Sequence, residues 1–473
     1  MASDWPLVRI EDIAASASNA LSTGPFGSAI SSKFFTAAGV PVIRGSNLST
    51  DMGIKLIDEN LVFVSLDKAK EFSRSIARRG DLVFTCWGSI NQIGLIHEKS
   101  KYSEYVVSNK QMKLTVDSKR VDPKYLYYVF SSPEKQQEIL ANGIGAAVPG
   151  FNLGQLKRHV LRLPPLNVQQ GIVRTLDSLD TKIDLNRRIN QTLEAMAQAI
   201  FKSWFIDFDP VKTKLAAIAE GRDPQRAAMS ATSGKTETAL NALPPEALEQ
   251  LTATAAMFPD EMEASEFGEI PKGWTVRAMT DCIDVNPSRS LKKGAVAPYL
   301  DMANVLTNSP RVQNVVARGF SSGSKFQNGD TLLARITPCL ENGKTAFVDF
   351  LDGDDIGWGS TEFIVLRPKR GLPESFAYFL CRDPEFRAYA IAQMAGTSGR
   401  QRVPNDCFGG YKLVEPTEPV ATEFGRLAGA MLGQIKALDL EARTLASLRD
   451  SLLPKLLSGE LSVEALAEQA GIA

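Results

Sequence analysis

The chain has 473 residues, 44% of them apolar and 23% charged, with 53 basic against 54 acidic side chains. That is enough apolar material for two or more cores of ordinary size, and the near balance of charge excludes the bulk-basic character of a protein that coats nucleic acid. Five widely spaced cysteines without a CxxC pair, and only two histidines, exclude a disulfide framework and a Cys/His zinc centre.

Residues 1–165 form the first predicted globular head. Trp5 stands in DWPLVRIEDI, Asn47 in VIRGSNL, and Gly80-Asp81 in RRGDLVFTCWG. A strand-like run then leads through a turn into an aromatic helix, QMKLTVDSKRVDPKYLYYVFSS, in which Leu126, Tyr127 and Phe130 are core candidates. The head closes on an apolar run ending in proline, HVLRLPPL. No apolar stretch approaches the roughly 18 residues of a membrane span, and the N-terminus lacks a basic flank followed by an apolar run. A cytoplasmic chain with no membrane partner is expected.

Residues 166–206 read as a long helix. Leu176, Leu179, Ile183, Asn186, Asn190 and Leu193 follow alternating steps of three and four, the spacing of a helix seam rather than of a broad globular face. Residues 207–268 read as a linker, partly helical. Within it GRDPQRAAMSATSGKTETALNALPPEALEQ lacks a sustained apolar period and is expected to be exposed and mobile.

Residues 269–417 repeat the first head. Trp274 answers Trp5, Asn304 answers Asn47, and Gly329-Asp330 answers Gly80-Asp81. The run TEFIVLRPKRGLPESFAYFLCRD answers the first strand and aromatic helix, placing Phe376, Phe379 and Leu380 in the core, and YKLVEPTEP answers the exit. Residues 418–461 repeat the long helix with Ala428, Met431, Ile435, Leu438, Ala442 and Leu445 at seam spacing, and residues 462–473 form a tail.

The register of the repeat carries information. Ile183 falls on Ile435 and Leu193 on Leu445, each offset by 252 (435 less 183, 445 less 193), whereas the offset drifts from 269 at Trp5/Trp274 to 249 at Gly80/Gly329. Helices packed side by side cannot change length without losing register, but surface loops tolerate insertions and carry recognition. Two constant helices therefore hold two diverged heads. The two seams are expected to pack on each other, with Asn186 and Asn190 fixing alignment; the alternative is that each helix packs on its own head. A helix of about 30 to 40 residues spans on the order of 45 to 60 Å, more than the roughly 34 to 36 Å of one turn of B-DNA.

Catalytic signatures fail on spacing. For a phosphate loop, Gly343-Lys344-Thr345 would need glycine where Pro338 stands, and Gly234-Lys235-Thr236 where Met229 stands. The adjacent prolines of Leu163-Pro164-Pro165-Leu166 lack the flanking residues of an amino-methyltransferase motif. There is no HExxH.

The order head, helix, head, helix, with GPFGS (24–28), GDLVFTCWGSINQIG (80–94), LPPLNVQQGI (163–172), WFIDFDPVK (204–212), GEIPKGW (268–274), DTLLARITPCLENGK (330–344), GSTEFIVLRP (359–368) and LRDSLLPKLLSGEL (448–461), resembles the DNA specificity subunit of Type I restriction-modification systems. The second exit, LVEPTEPVATEF, departs from the family's Pro-Pro-Leu followed by Gln, which bears on where the second helix starts. The resemblance implies an α+β chain with two similar α/β target recognition domains separated by two long helices that pack as an antiparallel coiled coil, with pseudo-twofold internal symmetry. It implies no catalysis and no cofactor on this chain. Each domain would read one half of an asymmetric, interrupted sequence in double-stranded DNA. The helices would set the spacing and dock two methyltransferase subunits carrying S-adenosylmethionine, and restriction subunits that translocate and cut DNA would join them. A self-contained DNA-modifying enzyme and an assembly scaffold without DNA specificity are the alternatives.

Bases are read mainly by Arg, Lys, Asn, Gln, Ser and Thr in the grooves. The candidates in the first head are Ser28, Lys33, Arg44, Asn47, Trp87, Ser89, Asn91, Gln92, Asn109, Lys110 and Gln111. In the second they are Arg289, Lys292, Lys293, Arg335, Thr337, Asn342, Lys344, Ser360, Thr361, Glu362, Arg400, Gln401 and Arg402. Phe26 and Trp87 read first as packing residues, because aromatic rings mostly supply core area, although Trp87 stands inside a favoured loop.

Overall fold

The computed structural model describes residues 5–145, 149–397 and 399–469; residues 1–4 of the first head and 470–473 of the expected tail lie outside them. The chain divides into two compact units, residues 1–185 with 442–473, and residues 186–441. The division does not follow chain order. Two long helices, α1 (Leu166–Phe205) and α2 (Glu418–Ser458), each contribute one part to either unit.

In the first unit a four-stranded antiparallel sheet runs in the order Leu21–Thr23, Gln111–Leu114, Leu82–Thr85, Ile93–Leu95. A five-stranded sheet runs Phe35–Thr36, Val62–Val64, Val40–Ile43, Glu104–Val107, Ile76–Arg78, with Val40–Ile43 parallel to Glu104–Val107. Val40–Ile43 is buried at every position, which is why its sequence is apolar throughout rather than alternating. The exit strand Val160–Arg162 returns to pair with Leu7–Arg9. Asp122 caps the aromatic helix Pro123–Ser131, accepting from Lys124 N at 2.8 Å, and proline opens it where no N–H is needed.

The second unit repeats the plan of both sheets in the same strand order. Ile283–Val285, Phe363–Pro368, Thr331–Ala334 and Thr345–Phe347 form the four-stranded sheet in the same order. Val316–Gly319, Val296–Leu300, Gly357–Gly359 and Ser324–Phe326 form the second sheet, again with one parallel pair at its centre, Val296–Leu300 and Gly357–Gly359. The first unit differs by the extra edge strand Phe35–Thr36. Thr275–Ala278 pairs with the exit strand Lys412–Glu415.

Within each unit, α1 and α2 run antiparallel. In the first, Asp180 of α1 bonds Arg449 of α2 at 2.8 Å. In the second, Asn186 Nδ2 donates to Leu438 O at 3.4 Å and to Glu441 Oε2 at 2.8 Å, while Asn190 Nδ2 donates to Ile435 O at 3.2 Å. Leu176, Ile183, Asn186, Ala428 and Ile435 are buried; Leu179, Asn190, Leu193, Met431, Leu438 and Leu445 are half-buried. The seam does not exclude packing on the heads. The Tyr128 hydroxyl donates to Asp180 at 2.6 Å in the first unit, the Tyr378 hydroxyl to Glu194 at 2.5 Å in the second, and Phe201 meets Phe376 at 5.1 Å between ring centroids.

The segment between the heads, expected to be partly helical and exposed, is helical over much of its length and buries a small core. Asp209–Ala219, Pro224–Ser233, Glu237–Leu240 and Pro245–Ala256 are helices, capped by Asp223 and Thr236 at two of their starts. Ala228, Met229, Leu240 and Ala255 form a small buried core. Alanine-rich helices meet through short side chains, so their seam leaves little trace in a hydrophobic pattern built on large residues.

Candidate nucleic-acid interface

Three segments converge at one end of the four-stranded sheet in each unit. They are a hairpin loop (86–92; 335–344), a turn that joins the two sheets (108–110; 360–362), and the described parts of a return loop after the helices (142–145 and 149–151; 393–397 and 399–403). The same backbone hydrogen bonds lock them together. In the first unit Cys86 N donates to Lys110 O at 2.7 Å, Phe151 N to Cys86 O at 2.8 Å and Gly88 N to Pro149 O at 3.1 Å. In the second, Arg335 N donates to Glu362 O at 2.9 Å, Val403 N to Arg335 O at 2.9 Å and Thr337 N to Gln401 O at 3.0 Å. Within the return loop, Ile144 and Gly150 exchange both backbone bonds, as do Ala395 and Arg402.

Many of the candidates meet at this end. Trp87, Ser89, Asn109 and Lys110 are exposed there in the first unit, with Asn91 half-buried; Asn342, Thr361, Arg400 and Arg402 are exposed in the second. Exposed Ser28 belongs to a short turn tied in by Asn109 Nδ2, which donates to Gly27 O at 3.0 Å, and exposed Lys33 sits in the next turn, Ser32–Phe34. Arg44 borders a cavity of ≈ 290 Å³ together with Ser108, Asn109 and Lys110. Arg335 borders one of ≈ 400 Å³ with Arg289, Lys325, Thr361 and Asn405. In both arginines the buried Nε has no hydrogen-bond partner among the described residues.

Other candidates are committed to the fold. Asn47 is buried, accepts from Arg44 N at 3.1 Å and donates to Ile57 O at 3.1 Å, so it holds a turn rather than a base. Gln111 is buried against Ser108. Gln92 donates to Leu48 O at 3.3 Å, and Lys344 donates to Met302 O at 2.7 Å, each fastening the hairpin loop to the short helical turn that contains Asn47 or Asn304. Thr337 Oγ1 donates to Gln401 O at 3.1 Å, and Ser360 Oγ accepts from Glu362 N at 3.1 Å. Half-buried Gln401 offers its carbonyl to that loop contact. Arg289 is consumed by an ion pair with buried Asp330. Lys292 and Lys293 are exposed but precede Val296–Leu300, at the opposite end of that strand from its parallel neighbour's exit into 360–362.

Two residues enter the site that the sequence reading did not select. Ile144 and Gly150 occupy the return loop where Ala395 and Arg402 stand in the second unit. The offset of 252 from the helices, carried upstream, places Gly150 on Arg402; the loop GIGAAVPG escaped notice because it holds no polar side chain. The packing expectation for Phe26 and Trp87 also fails, since they are 75% and 51% exposed. Burial pushes the neighbouring Cys86 thiol up to about 12, so it stays neutral and is no nucleophile. Cys282 and Cys381 are likewise buried. Hydrogen bonding to Glu362 raises the Arg402 guanidinium further above its ordinary value. Among the described residues no group of His, Cys, Asp and Glu could hold a metal ion, and no helix is long and apolar enough to cross a membrane.

Residues 2–195 match the Type I restriction modification DNA specificity domain. The chain is 28% identical to the HindI specificity subunit of Haemophilus influenzae, over 76% of this chain and 81% of that one. It is 21% identical to the MjaIX specificity subunit of Methanocaldococcus jannaschii, over 98% and 95%. Among solved structures, the S subunit of a Type I system from M. genitalium aligns over 96% of both chains with a TM-score of 0.49 and 13% identity. Residues 2–195 thus match the DNA specificity domain of Type I restriction-modification systems, and the relatives that align over most of the chain are specificity subunits of such systems.

Proposed function

We propose that this chain is the sequence-reading subunit of a DNA methylation and restriction complex, each loop cluster reading one half of an asymmetric, interrupted target. One observation carries the reading: the two heads keep the same backbone hydrogen bonds at their loop ends while the side chains presented there differ. A shared frame with different surface chemistry is what reading two unlike half-sites requires. The chain itself performs no catalysis and binds no cofactor. Methyltransferase subunits, two per complex, bring S-adenosylmethionine and dock along the long helices, whose fixed length sets the interval between half-sites. Restriction subunits join this complex in the cytoplasm.

Adenine-methylation sequencing of host DNA tests the reading. A host carrying the chain and its methyltransferase partner is expected to show one bipartite motif, and replacing residues 1–165 by another head is expected to change one half of it. An unchanged motif after the swap would favour a scaffold. Methyl transfer from labelled S-adenosylmethionine to DNA by the purified chain alone would favour a self-contained enzyme.

A further inference from the structure

The loop clusters contain a ladder of three rungs that occupies the same place in both heads. In the first, Gly150 is bridged on one side by Trp87 and on the other by Ile144; in the second, Arg402 is bridged by Ile336 and by Ala395. Residues bridged across a ladder project to the same face. Each head therefore presents one short row of three residues, and the rows differ in chemical kind.

In the first head the middle rung has no side chain, and the Trp87 ring lies over it. A carbon at the Cβ position of Gly150 would fall 2.6 Å from Trp87 Cζ3, so only glycine leaves that place for the indole. Trp87 and Ile144 remain 51% and 53% exposed. The row is an apolar step. In the second head the flanking rungs are smaller, and the middle one is a guanidinium. Glu362 holds it through Arg402 Nε, at 3.0 Å to both carboxylate oxygens, and through Nη2 at 2.7 Å. That grip fixes the plane of the guanidinium, with part of its ordering cost already met in the free protein, and the edge bearing Nη1, held only by a long 3.4 Å bond to Arg400 O, is the one Glu362 does not occupy.

We infer that this ladder sets the base chemistry read by each head: Trp87 and Ile144 take the 5-methyl group of a thymine in one half-site, and Arg402, oriented by Glu362, takes the O6 and N7 acceptors of a guanine in the other. The inference rests on the proposed DNA-reading function. It follows from what the major groove offers, where a methyl group is the one apolar feature and paired acceptors are the feature a guanidinium fork matches.

The test uses the full chain assembled with its methyltransferase partner, as wild type and as Trp87→Ala, Arg402→Gln and Arg402→Lys. The methylated motif of each assembly is sequenced. Binding is then measured to duplexes carrying deoxyuridine for single thymines, or 7-deazaguanine for single guanines. For the wild type, deoxyuridine at one thymine of the first half-motif and 7-deazaguanine at one guanine of the second are each expected to weaken binding. Trp87→Ala is expected to abolish the first sensitivity only. Both Arg402 variants are expected to abolish the second only, relaxing that guanine position and weakening cognate binding on the order of 10-fold.

Arg402 and Trp87 are exposed, so the fold should survive, and matching thermal unfolding of the variants checks this. A first half-motif without thymine or a second without guanine would overturn the inference. So would uniform weakening with a shallower salt dependence and an unchanged motif, the signature of a phosphate grip. Full guanine discrimination by Arg402→Lys would overturn the fork assignment. If the wild-type assembly yields no bipartite motif, the proposed function falls and the inference with it; if the motif is present and the variants leave it unchanged, the ladder assignment alone falls.

Discussion

The two heads differ most clearly beneath their loops, at the aspartate each carries before the same strand. Asp81 and Asp330 form the same turn, accepting from Arg78 N and from Gln327 N, both at 2.8 Å. Around that shared turn the partners diverge. Asp81 is met by Lys113 at 3.4 Å and by the Thr115 hydroxyl at 2.6 Å; Asp330 is met by two guanidiniums, Arg289 and Arg367. The Gly-Asp pair visible in both halves of the sequence therefore marks a requirement of the backbone, while each head has found its own counterions. Duplication kept the geometry and released the chemistry, at the turn as at the loops.

Removing the aspartates is the strongest way to break this comparison. Asp330→Ala strands the buried Arg289 guanidinium, while Arg367 keeps Glu374, and is expected to destabilise the second unit by about 3–5 kcal/mol. Asp81→Ala strands a single ammonium on a flexible stem and should lie at or below the low end of that range. Urea unfolding followed by hydrogen exchange, which localises the loss to one unit, measures both. Equal losses would mean that the turn rather than the ion pair carries the energy.

Close backbone approaches give the next effect. A Cβ on Gly24 would lie 1.8 Å from Ser108 O, and one on Gly323 would lie 1.9 Å from Gly359 O. In each head a glycine thus lets a neighbouring segment press on the start of the joining turn. Gly24→Ala is expected to cost about 1–3 kcal/mol through overpacking. Gly323→Ala should cost more, because Gly323 also has φ +153°. Thermal unfolding of the two variants ranks them, and the reverse order would show that backbone conformation matters less than the clash.

The seam offers a smaller effect of opposite sign. Asn186 and Asn190 occupy positions where the repeat carries Leu438 and Ala442, and their Oδ1 atoms are buried without a hydrogen-bond partner among the described residues. Asn186→Leu is expected to raise stability by about 1 kcal/mol, since the asparagine specifies alignment at some cost. A loss of stability in urea unfolding would show that the bond to Glu441 outweighs the stranded oxygen.

How much of this was legible in the sequence depended on what each residue has to do. The constant offset between Ile183 and Ile435 gave away the paired helices because packed helices cannot drift. Tyr127 and Phe379 read correctly as core because aromatic residues at helical spacing have few other fates. Asn47 was legible as a repeated position but not as a turn holder, since an asparagine looks alike whether it grips its own backbone or a base. Arg289 misled for the same reason: its partner Asp330 is 41 residues away, and only the sheet brings them together. Gly150 was silent because the information lies in the side chain it lacks.

The histidines allow one last contrast, the smallest in size. Both stand in the first unit, His97 and His159, and the second has none. Burial lowers the pKa of each, aided by Lys55 at His97 and by Lys135 at His159. A histidine whose folded pKa lies below its unfolded value lends stability that is present above the ordinary range, about 6.5, and is lost as pH falls through the folded value. Acidification from pH 7.5 should therefore loosen the first unit before the second. Hydrogen exchange at matched intrinsic rates would show protection falling at Phe130 and Phe151, whose rings pack on His159 at 5.2 and 6.4 Å, before it falls around Phe379. In His159→Gln that early loss should shrink. Simultaneous loosening of both units would instead assign the acid sensitivity to the carboxylates, which the two units share.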